Sequence, residues 1–530
     1  MKSDAMLPSS LSRFEEMRKT IGLIVGPLAF ILILSFPTPE SFLQLAREAI
    51  QPSSANADIL TLAYGTQVVL ALLVLMVIWW ITEAVPIPMT AFLPAIVLPV
   101  FHVQGAASHA LYAFDTKNVF LNFAHPIIFL FVGGFLLAAA MQKWGLDKRF
   151  TLMVLTKFRL ANDSRSVLLG MMIVTAFISM WISNTATTVM MLPLAIRILA
   201  HMGCTPGKSR FGTALMLGIA WAASIGGVGT IIGTAPNGIC ISILRGSNLA
   251  TIGFLDWMKF GVPYVIILIP CAWFILLKIF PPEVKGMRGG REAMQAEFRA
   301  LGKWSRGERI TFIMFHLAVV LWVSKPFWQH IFPESMLTRL EWIDETVIAL
   351  SVVLLLFLIP VNWKEKKFVL DWSDAGIIDW GTLLLFGGGI ALSDAMFRTG
   401  LAKWIATSFV SIAGTPSTFV LIIIIVFLMD FLTEVTSNTA VTSMMVPIII
   451  SIASGIGADP IVLSVAAAVA SSMAFMLPVA TPPNALVYAT GYIKITDMVR
   501  AGFVLDIVGW IMTVAIIYGI AHLLFGMFVM

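Results

Sequence analysis

Charge is scarce in this sequence. Asp, Glu, Lys and Arg make up 12% of its 530 residues, against roughly 25% in a soluble chain. So few charges cannot cover a chain of this length in water, which excludes a large soluble helical core. Cysteine is scarcer still. Cys204, Cys240 and Cys271 show no CxxC spacing, so no disulfide framework or metal motif is read. They read instead as small buried apolar side chains. The seven histidines are scattered. HExxH and GxSxG are both absent, and no acids cluster with a histidine, so the chain reads as a non-enzyme. No cleavable signal peptide is read. The polar start from Met1 to Thr20 precedes an apolar run too long for a signal core, without a clear cleavage site.

Apolar sequence is what abounds, at 59% of the chain. Many runs reach the ~20 residues that cross a bilayer, so the expected class is an all-α polytopic membrane protein. The net charge of +5 is no nucleic-acid signal, because the basic residues sit in short loops between apolar runs. Residues 1–20, with Lys2, Arg13, Arg18 and Lys19, read as a cytoplasmic tail. Spans are expected at about 21–36, 60–82, 86–103 and 124–142, and later at about 260–281, 310–331, 343–361, 379–397 and 501–528. A loop with Pro37, Pro39, Pro52, Ser53 and Ser54 separates the first two, and the second ends on the interfacial pair Trp79-Trp80. The basic, amphiphilic linker with Lys285, Arg288, Arg291, Arg299, Lys303, Arg306 and Arg309 reads as a helix on the cytoplasmic membrane surface.

Two segments, 165–199 and about 415–453, are too long for one span and carry a polar triplet at their centre. The first reads Trp181-Ile-Ser-Asn-Thr-Ala-Thr-Thr-Val-Met-Met-Leu-Pro193; the second reads Val435-Thr-Ser-Asn-Thr-Ala-Val-Thr-Ser-Met-Met-Val-Pro447. Ser183, Asn184 and Thr185 answer Ser437, Asn438 and Thr439 in register. Such a triplet is costly in hydrocarbon unless it faces protein or a water-filled cavity. Each segment therefore reads as a re-entrant hairpin with a polar tip. Each is followed by a Gly/Pro-interrupted run: Thr234-Ala-Pro-Asn237 within 211–244, and Thr481-Pro-Pro-Asn484 within 460–490. These read as broken helices with freed backbone groups. The repeat extends upstream, where Phe131-Val-Gly-Gly134 answers Phe386-Gly-Gly-Gly389.

A hairpin does not cross, so each half crosses an odd number of times and the second is inverted relative to the first. With the amino terminus inside, the basic clusters at 143–165, 285–309 and Lys364/Lys366/Lys367 all face the cytoplasm. The first hairpin then enters from inside and the second from outside. This gives about eleven transmembrane helices plus two re-entrant hairpins. The expected division is 1–58 for the tail, first helix and loop, 59–282 for the first repeat with the inner hairpin, 283–308 for the linker, and 309–530 for the second repeat with the outer hairpin.

Tips and breaks that meet near the midplane offer two kinds of group. Freed N–H groups and hydroxyls suit carboxylate oxygens. Freed carbonyls, Ser and Thr hydroxyls and the Asn carbonyl oxygen suit a dehydrated Na⁺. Neither triplet nor either Thr-x-Pro-Asn break contains Lys, Arg or His, which argues against a bidentate arginine clamp and for cation coupling.

These residues resemble the divalent anion/sodium symporter family, the INDY-type di- and tricarboxylate transporters. Thr82-Glu-Ala-Val-Pro86 and Leu432-Thr-Glu-Val-Thr-Ser-Asn-Thr439 add to the resemblance, which runs from about residue 60 to the end. It implies an elevator-type transporter, a homodimer, driven by Na⁺ and located in the bacterial inner (plasma) membrane with its N-terminus cytoplasmic. Substrate contacts are implied at Asn184, Thr185, Ser437, Asn438, Thr439, Thr481 and Pro482. One Na⁺ site is implied at Ser179, Ser183, Asn184 and the backbone near Gly233. The other is implied at Thr433, the Thr436 carbonyl, Asn438 and the backbone near Ala480. Ser179 and Thr433 each stand one helical turn before the serine of their triplet. The expected function is Na⁺-coupled symport of dicarboxylates of the succinate, malate and fumarate class. A dicarboxylate or citrate exchanger on the same fold, or a sulfate symporter, is the alternative.

Other residues read as structure. Glycines 133–134 and 387–389 read as close-packing contacts. Asp430 and Glu434 read as structural or water-facing, because the first hairpin has no counterpart. Asp394 and Arg398 read as a pair near a span end, and His125-Pro126 as the interfacial start of a span.

Overall fold

In the computed structural model the described residues are 9–49, 56–107, 110–157, 163–284 and 290–521. Helices dominate, and the described sheet amounts to two short antiparallel ribbons, Gln104–Ala107 with Ala110–Ala113 and Pro360–Asn362 with Lys367–Phe368. Eight described helices are long and apolar enough to cross a membrane, or nine if the bent pair Leu401–Ala413 and Thr418–Thr433 is one span. Further apolar helices are shorter: Ile87–Val100, Ser164–Ser179, Glu345–Leu358 and Pro460–Ala470. Proline, glycine and the polar triplets cut these segments, which is why length alone counts fewer spans than the sequence pattern does.

Both odd segments break at their triplets. Ser164–Ser179 is followed by Asn184–His201, and Thr418–Thr433 by Asn438–Ile456. Both interrupted runs break as well. Arg210–Gly227 is separated from Ala235–Gly246, and Pro460–Ala470 from Pro482–Tyr488. Arg210–Gly227 is buried along its length after Arg210. It packs against Ser164–Ser179, so the first tip and the first break belong to one packed unit.

The repeat is visible in the packing. Phe131 and Phe386, equivalent in the two copies, touch edge to face. The repeated glycines are close contacts, as expected: a Cβ on Gly133 would lie 2.7 Å from Ala349 Cβ, and one on Gly388 would lie 2.3 Å from the Ala91 carbonyl oxygen. Arg398 Nε and Asp394 Oδ1 pair at 2.6 Å. His125 Nδ1 accepts from Ile127 N at 3.4 Å and so caps the helix Pro126–Lys143.

Several segments differ from the sequence reading. The first helix begins at Ser9, inside the expected tail. The Pro/Ser loop holds a helix, Glu40–Ala49, whose Phe42 and Ala46 pack with Leu62 and Ala63. The third expected span is two short helices, Ile87–Thr90 and Leu93–Val100. The basic loop after residue 143 holds the helix Leu146–Lys157. The charges of Glu40–Ala49 and Leu146–Lys157 hide the apolar face that each buries. Lys2, Pro52, Ser53, Ser54, Arg159, Lys285, Arg288 and the end of the last expected span lie outside the described residues.

The linker does contain a helix, Gly290–Ala300. Its Glu297 pairs with Lys148 at 3.2 Å and with Arg197. Arg149 pairs with Glu308 at 2.8 Å, both buried, and also donates to the Leu301 and Gly302 carbonyls. The linker is thus fastened by ion pairs to Leu146–Lys157 and to Asn184–His201, the second arm of the first hairpin.

Candidate binding site at the paired helix breaks

A cavity of about 610 Å³ is lined by both tips and both breaks. Ser183, Asn184 and Thr185 face it from the first tip, and Ser437, Asn438 and Thr439 from the second. Gly233, Thr234 and Pro236 join from the first break, and Ala480, Thr481 and Pro482 from the second. The sequence prediction that residues more than 250 positions apart share one chamber is therefore met. Ser179, Thr433 and Thr436 are buried just behind the lining.

Behind each tip lies the same arrangement of oxygens. Ser179 Oγ is 2.7 Å from Asn184 Oδ1 and 2.7 Å from the Ala223 carbonyl oxygen. Thr433 Oγ1 is bonded to Asn438 Oδ1 and lies 2.8 Å from the Ser471 carbonyl oxygen. A hydroxyl carries one hydrogen, so it can donate to only one of its two neighbours. In each cluster one pair of oxygens meets without a proton between them. Neutral oxygens converging in this way suit a small hard cation.

The sequence pointed to the hydroxyls and asparagines but missed the Ala223 and Ser471 carbonyls. Ser471 caps the end of Pro460–Ala470, where the break leaves its carbonyl without a helical partner, and Ala223 stands in the last turns of Arg210–Gly227, where its carbonyl has a second lone pair to offer. A carbonyl carries no side-chain signal; only its place before the Thr-x-Pro-Asn motif could have marked it. Gly233 lies close to the first cluster's surroundings, since a Cβ there would fall 3.0 Å from the Met180 carbonyl oxygen. Ser183 spends its hydroxyl capping the helix that follows, accepting from Ala186 N at 3.3 Å. Ser437 makes no such capping bond. Thr436 Oγ1 donates to the Trp80 carbonyl at 3.0 Å.

Each Thr-x-Pro-Asn asparagine ties its break together. Asn237 Nδ2 donates to the Gly227 and Thr230 carbonyls at 3.0 and 2.7 Å, and Asn484 Nδ2 to the Ala474 and Leu477 carbonyls at 2.9 and 3.0 Å. The tips are fastened to the breaks by different means. Thr230 Oγ1 donates to the Met180 carbonyl in the first half. Glu434, at the matching place in the second, accepts from the backbone N–H of Phe475, Met476 and Leu477, the last two at 2.8 and 3.0 Å. Glu434 is therefore structural. Asp430, fully buried one turn earlier, leaves both carboxyl oxygens without a donor, and the buried Asp506 carboxyl faces that of Glu434.

Four helices begin at the tips and breaks that line the cavity: Asn184–His201, Asn438–Ile456, Ala235–Gly246 and the short Pro482–Tyr488. Each of the first three presents free N–H groups and about half a positive charge at its N-terminus. The described lining contains no Lys, Arg or His, but it includes Glu83 and Asp379. The cavity reaches Glu83, Gln142 and Asp379, which stand at the ends of Asn56–Thr82, Pro126–Lys143 and Trp380–Thr399. Basic segments adjoin two of those ends, so the cavity extends towards the face that carries the basic clusters.

Comparison with known proteins agrees with this geometry. The family profile described as "Sodium:sulfate symporter transmembrane region" matches residues 59–527. A protein of Staphylococcus saprophyticus named sodium-dependent dicarboxylate transporter SdcS is 36% identical over 515 residues, 94% of this chain and 90% of the relative. A Staphylococcus aureus protein of the same name is 34% identical over 523 residues, 96% of this chain and 92% of the relative. Among solved structures, the Alcanivorax borkumensis YdaH transporter aligns with a TM-score of 0.55 at 14% identity, over 85% of this chain and 98% of that one. Neisseria gonorrhoeae MtrF, described as illuminating a class of antimetabolite efflux pumps, aligns at 0.52 and 14%, over 90% and 97%. At that identity the two structures speak for the fold alone.

Proposed function

The chain belongs to the sodium:sulfate symporter family, and from that premise we propose that it is a secondary active transporter carrying dicarboxylates of the succinate, malate and fumarate class together with Na⁺. The observation that carries this reading is the pair of matching oxygen clusters behind one shared cavity. The substrate would lie between the tips, against Asn184, Thr185, Ser437, Asn438 and Thr439, with Thr481 and Pro482 beside it. One Na⁺ would be held by Ser179, Ser183, Asn184 and the backbone near Gly233, now joined by the Ala223 carbonyl. The other would be held by Thr433, the Thr436 carbonyl, Asn438 and the backbone near Ala480, joined by the Ser471 carbonyl.

Charge arithmetic supports coupling. Helix N-termini offer only partial positive charge, about +0.5 each, around a cavity that also holds Glu83 and Asp379, so they do not neutralise the −2 of a dicarboxylate. The described lining offers no basic side chain to close the gap, and Na⁺ does so. Each cation carried beyond the substrate's own charge draws about 2.3 kcal/mol per 100 mV from the membrane field.

The repeats 59–282 and 309–530, joined by the linker 283–308 and preceded by residues 1–58, are read as oppositely oriented halves with re-entrant hairpins. Alternating access is read as an elevator movement of tips and breaks against the remaining helices, in a homodimer of the inner (plasma) membrane with a cytoplasmic N-terminus. The cavity is then open to the cytoplasm in the present structure. The test is uptake of labelled succinate by cells or proteoliposomes, with Na⁺ or with choline. Uptake that needs Na⁺ supports symport. Equal uptake in choline points to exchange, and no uptake of any dicarboxylate overturns the substrate class.

A further inference from the structure

We propose that Arg18 is a latch that holds the outer-hairpin tip against the helices Ser9–Ser35 and Asn56–Thr82 and so stabilises the state whose cavity opens on the basic face. The proposal rests on the alternating-access reading above. From the sequence alone Arg18 is only one more basic residue of a cytoplasmic tail. In the fold it lies on the first helix, Ser9–Ser35, and reaches two separate parts of the molecule. Its Nη2 pairs with Glu83 Oε2 at 3.0 Å, and its Nη1 donates to the Val435 carbonyl at 3.2 Å. Val435 belongs to the tip between Thr433 and Asn438, the residues of the second oxygen cluster.

A second bond runs alongside. Thr436 Oγ1 donates to the Trp80 carbonyl at 3.0 Å, at the same end of Asn56–Thr82. Glu83, which follows that helix, has φ 49, a backbone conformation unfavourable for a residue with a Cβ and held only when its surroundings demand it. The first tip is treated differently. Its Met180 carbonyl is bonded by Thr230 of its own half, and its Trp181 meets Phe254 and Phe315 through ring contacts. Polar bonds to other helices thus fasten the outer tip, while the inner tip is bonded within its own half and packed on apolar rings.

Any movement of the tips past Ser9–Ser35 and Asn56–Thr82 must break the Arg18–Val435 and Thr436–Trp80 bonds. Arg18 does not itself line the cavity or enter the oxygen clusters; it meets the lining only through Glu83, at the cavity's edge. It acts as a positioning residue, by weighting the two states. A ligand-independent bias of this kind shifts accessibility without removing a binding group.

The reporter is Val479→Cys, a cavity residue with 64% exposure. It is labelled with a membrane-impermeant maleimide added to the basic face in inside-out vesicles, with the native three-cysteine chain as blank. In otherwise native protein, Na⁺ plus succinate should change the labelling rate. If it does not, alternating access itself fails. If it does, Arg18→Gln should slow labelling about 3- to 10-fold, as expected for loss of charge-assisted bonds that are partly exposed, and Arg18→Lys should restore part of the rate. An Arg18→Gln rate equal to the native one overturns the latch alone. Should Arg18→Gln fail to fold, Arg18→Lys decides: with one donor group in place of the guanidinium fork it slows labelling by a smaller factor if the latch exists, and leaves it unchanged if not.

Discussion

Phe131 and Phe386 meet edge to face with ring centroids 4.7 Å apart. They hold the same place in the two copies of the repeat. Equivalent residues of a duplicated chain can touch each other only where the pseudo-symmetry axis passes between them. The cavity adjoins this contact, since Phe131 is one of its walls. The site is thus built where the two halves are closest to being mirror roles of one another, and each half contributes one tip, one break and one oxygen cluster.

Gly238 lies under that contact. A Cβ there would fall 2.3 Å from Phe131 Cε2 and 3.1 Å from Phe386 Cζ. Gly238→Ala must therefore displace both rings. Overpacking of this kind costs about 1–3 kcal/mol, so thermal unfolding in detergent should shift down and succinate uptake should fall. An unchanged melting profile would mean that the rings can yield at no cost.

Removing the cluster hydroxyls should weaken Na⁺ without abolishing the fold. Ser179→Ala and Thr433→Ala each delete one oxygen next to an asparagine and a backbone carbonyl. Each is expected to raise the Na⁺ concentration for half-maximal uptake several-fold, about what one lost ligand of 1–1.5 kcal/mol gives. Asn184→Ala and Asn438→Ala remove an oxygen that both ligands share and should abolish uptake at normal expression. Normal Na⁺ dependence in all four variants would dismiss the clusters as cation sites.

Glu434→Gln should loosen the second break. Its carboxyl accepts from three consecutive backbone N–H groups, and each such hydrogen bond contributes about 0.5–1.5 kcal/mol. An amide offers one acceptor oxygen in place of two. We expect lower thermal stability and at least a tenfold loss of uptake, not recovered by raising Na⁺. Recovery at high Na⁺ would instead make Glu434 a contributor to cation affinity.

Arg149→Ala tests the linker. The Arg149–Glu308 pair is buried, with side chains 6% and 8% exposed, and breaking one partner of such a pair costs about 3–5 kcal/mol. The linker should become open to limited proteolysis and the protein less thermostable. The Na⁺ concentration for half-maximal uptake in the surviving protein should stay unchanged, because neither side chain lines the cavity or bonds to a cluster residue. A shift in Na⁺ dependence would show that the linker communicates with the site.

The paired Ser-Asn-Thr triplets were legible because polar side chains stand out in an apolar run, and their duplication made chance an unlikely cause. Asn184 and Asn438, Ser179 and Thr433 are where that pattern places them. The Ala223 and Ser471 carbonyls were not legible, because a backbone oxygen is the same in every residue and only the fold shows where one is available. The helix Leu146–Lys157 was hidden for another reason: its charges masked the few apolar residues that it buries. Glu434 could be read as structural, yet its donors are backbone groups more than forty residues away, and no side chain announces them.

Residue type and order alone determined that this chain lives in a membrane, that it is duplicated, and that its polar groups gather at two tips and two breaks. Burial in hydrocarbon forces those outcomes, since every exposed polar group there carries a cost that sequence reveals. Only the tertiary structure decided which backbone atoms complete each oxygen cluster, and which long-range partner Arg18 finds 417 positions away. Those depend on how helices are brought together, and short-range pattern carries no record of that.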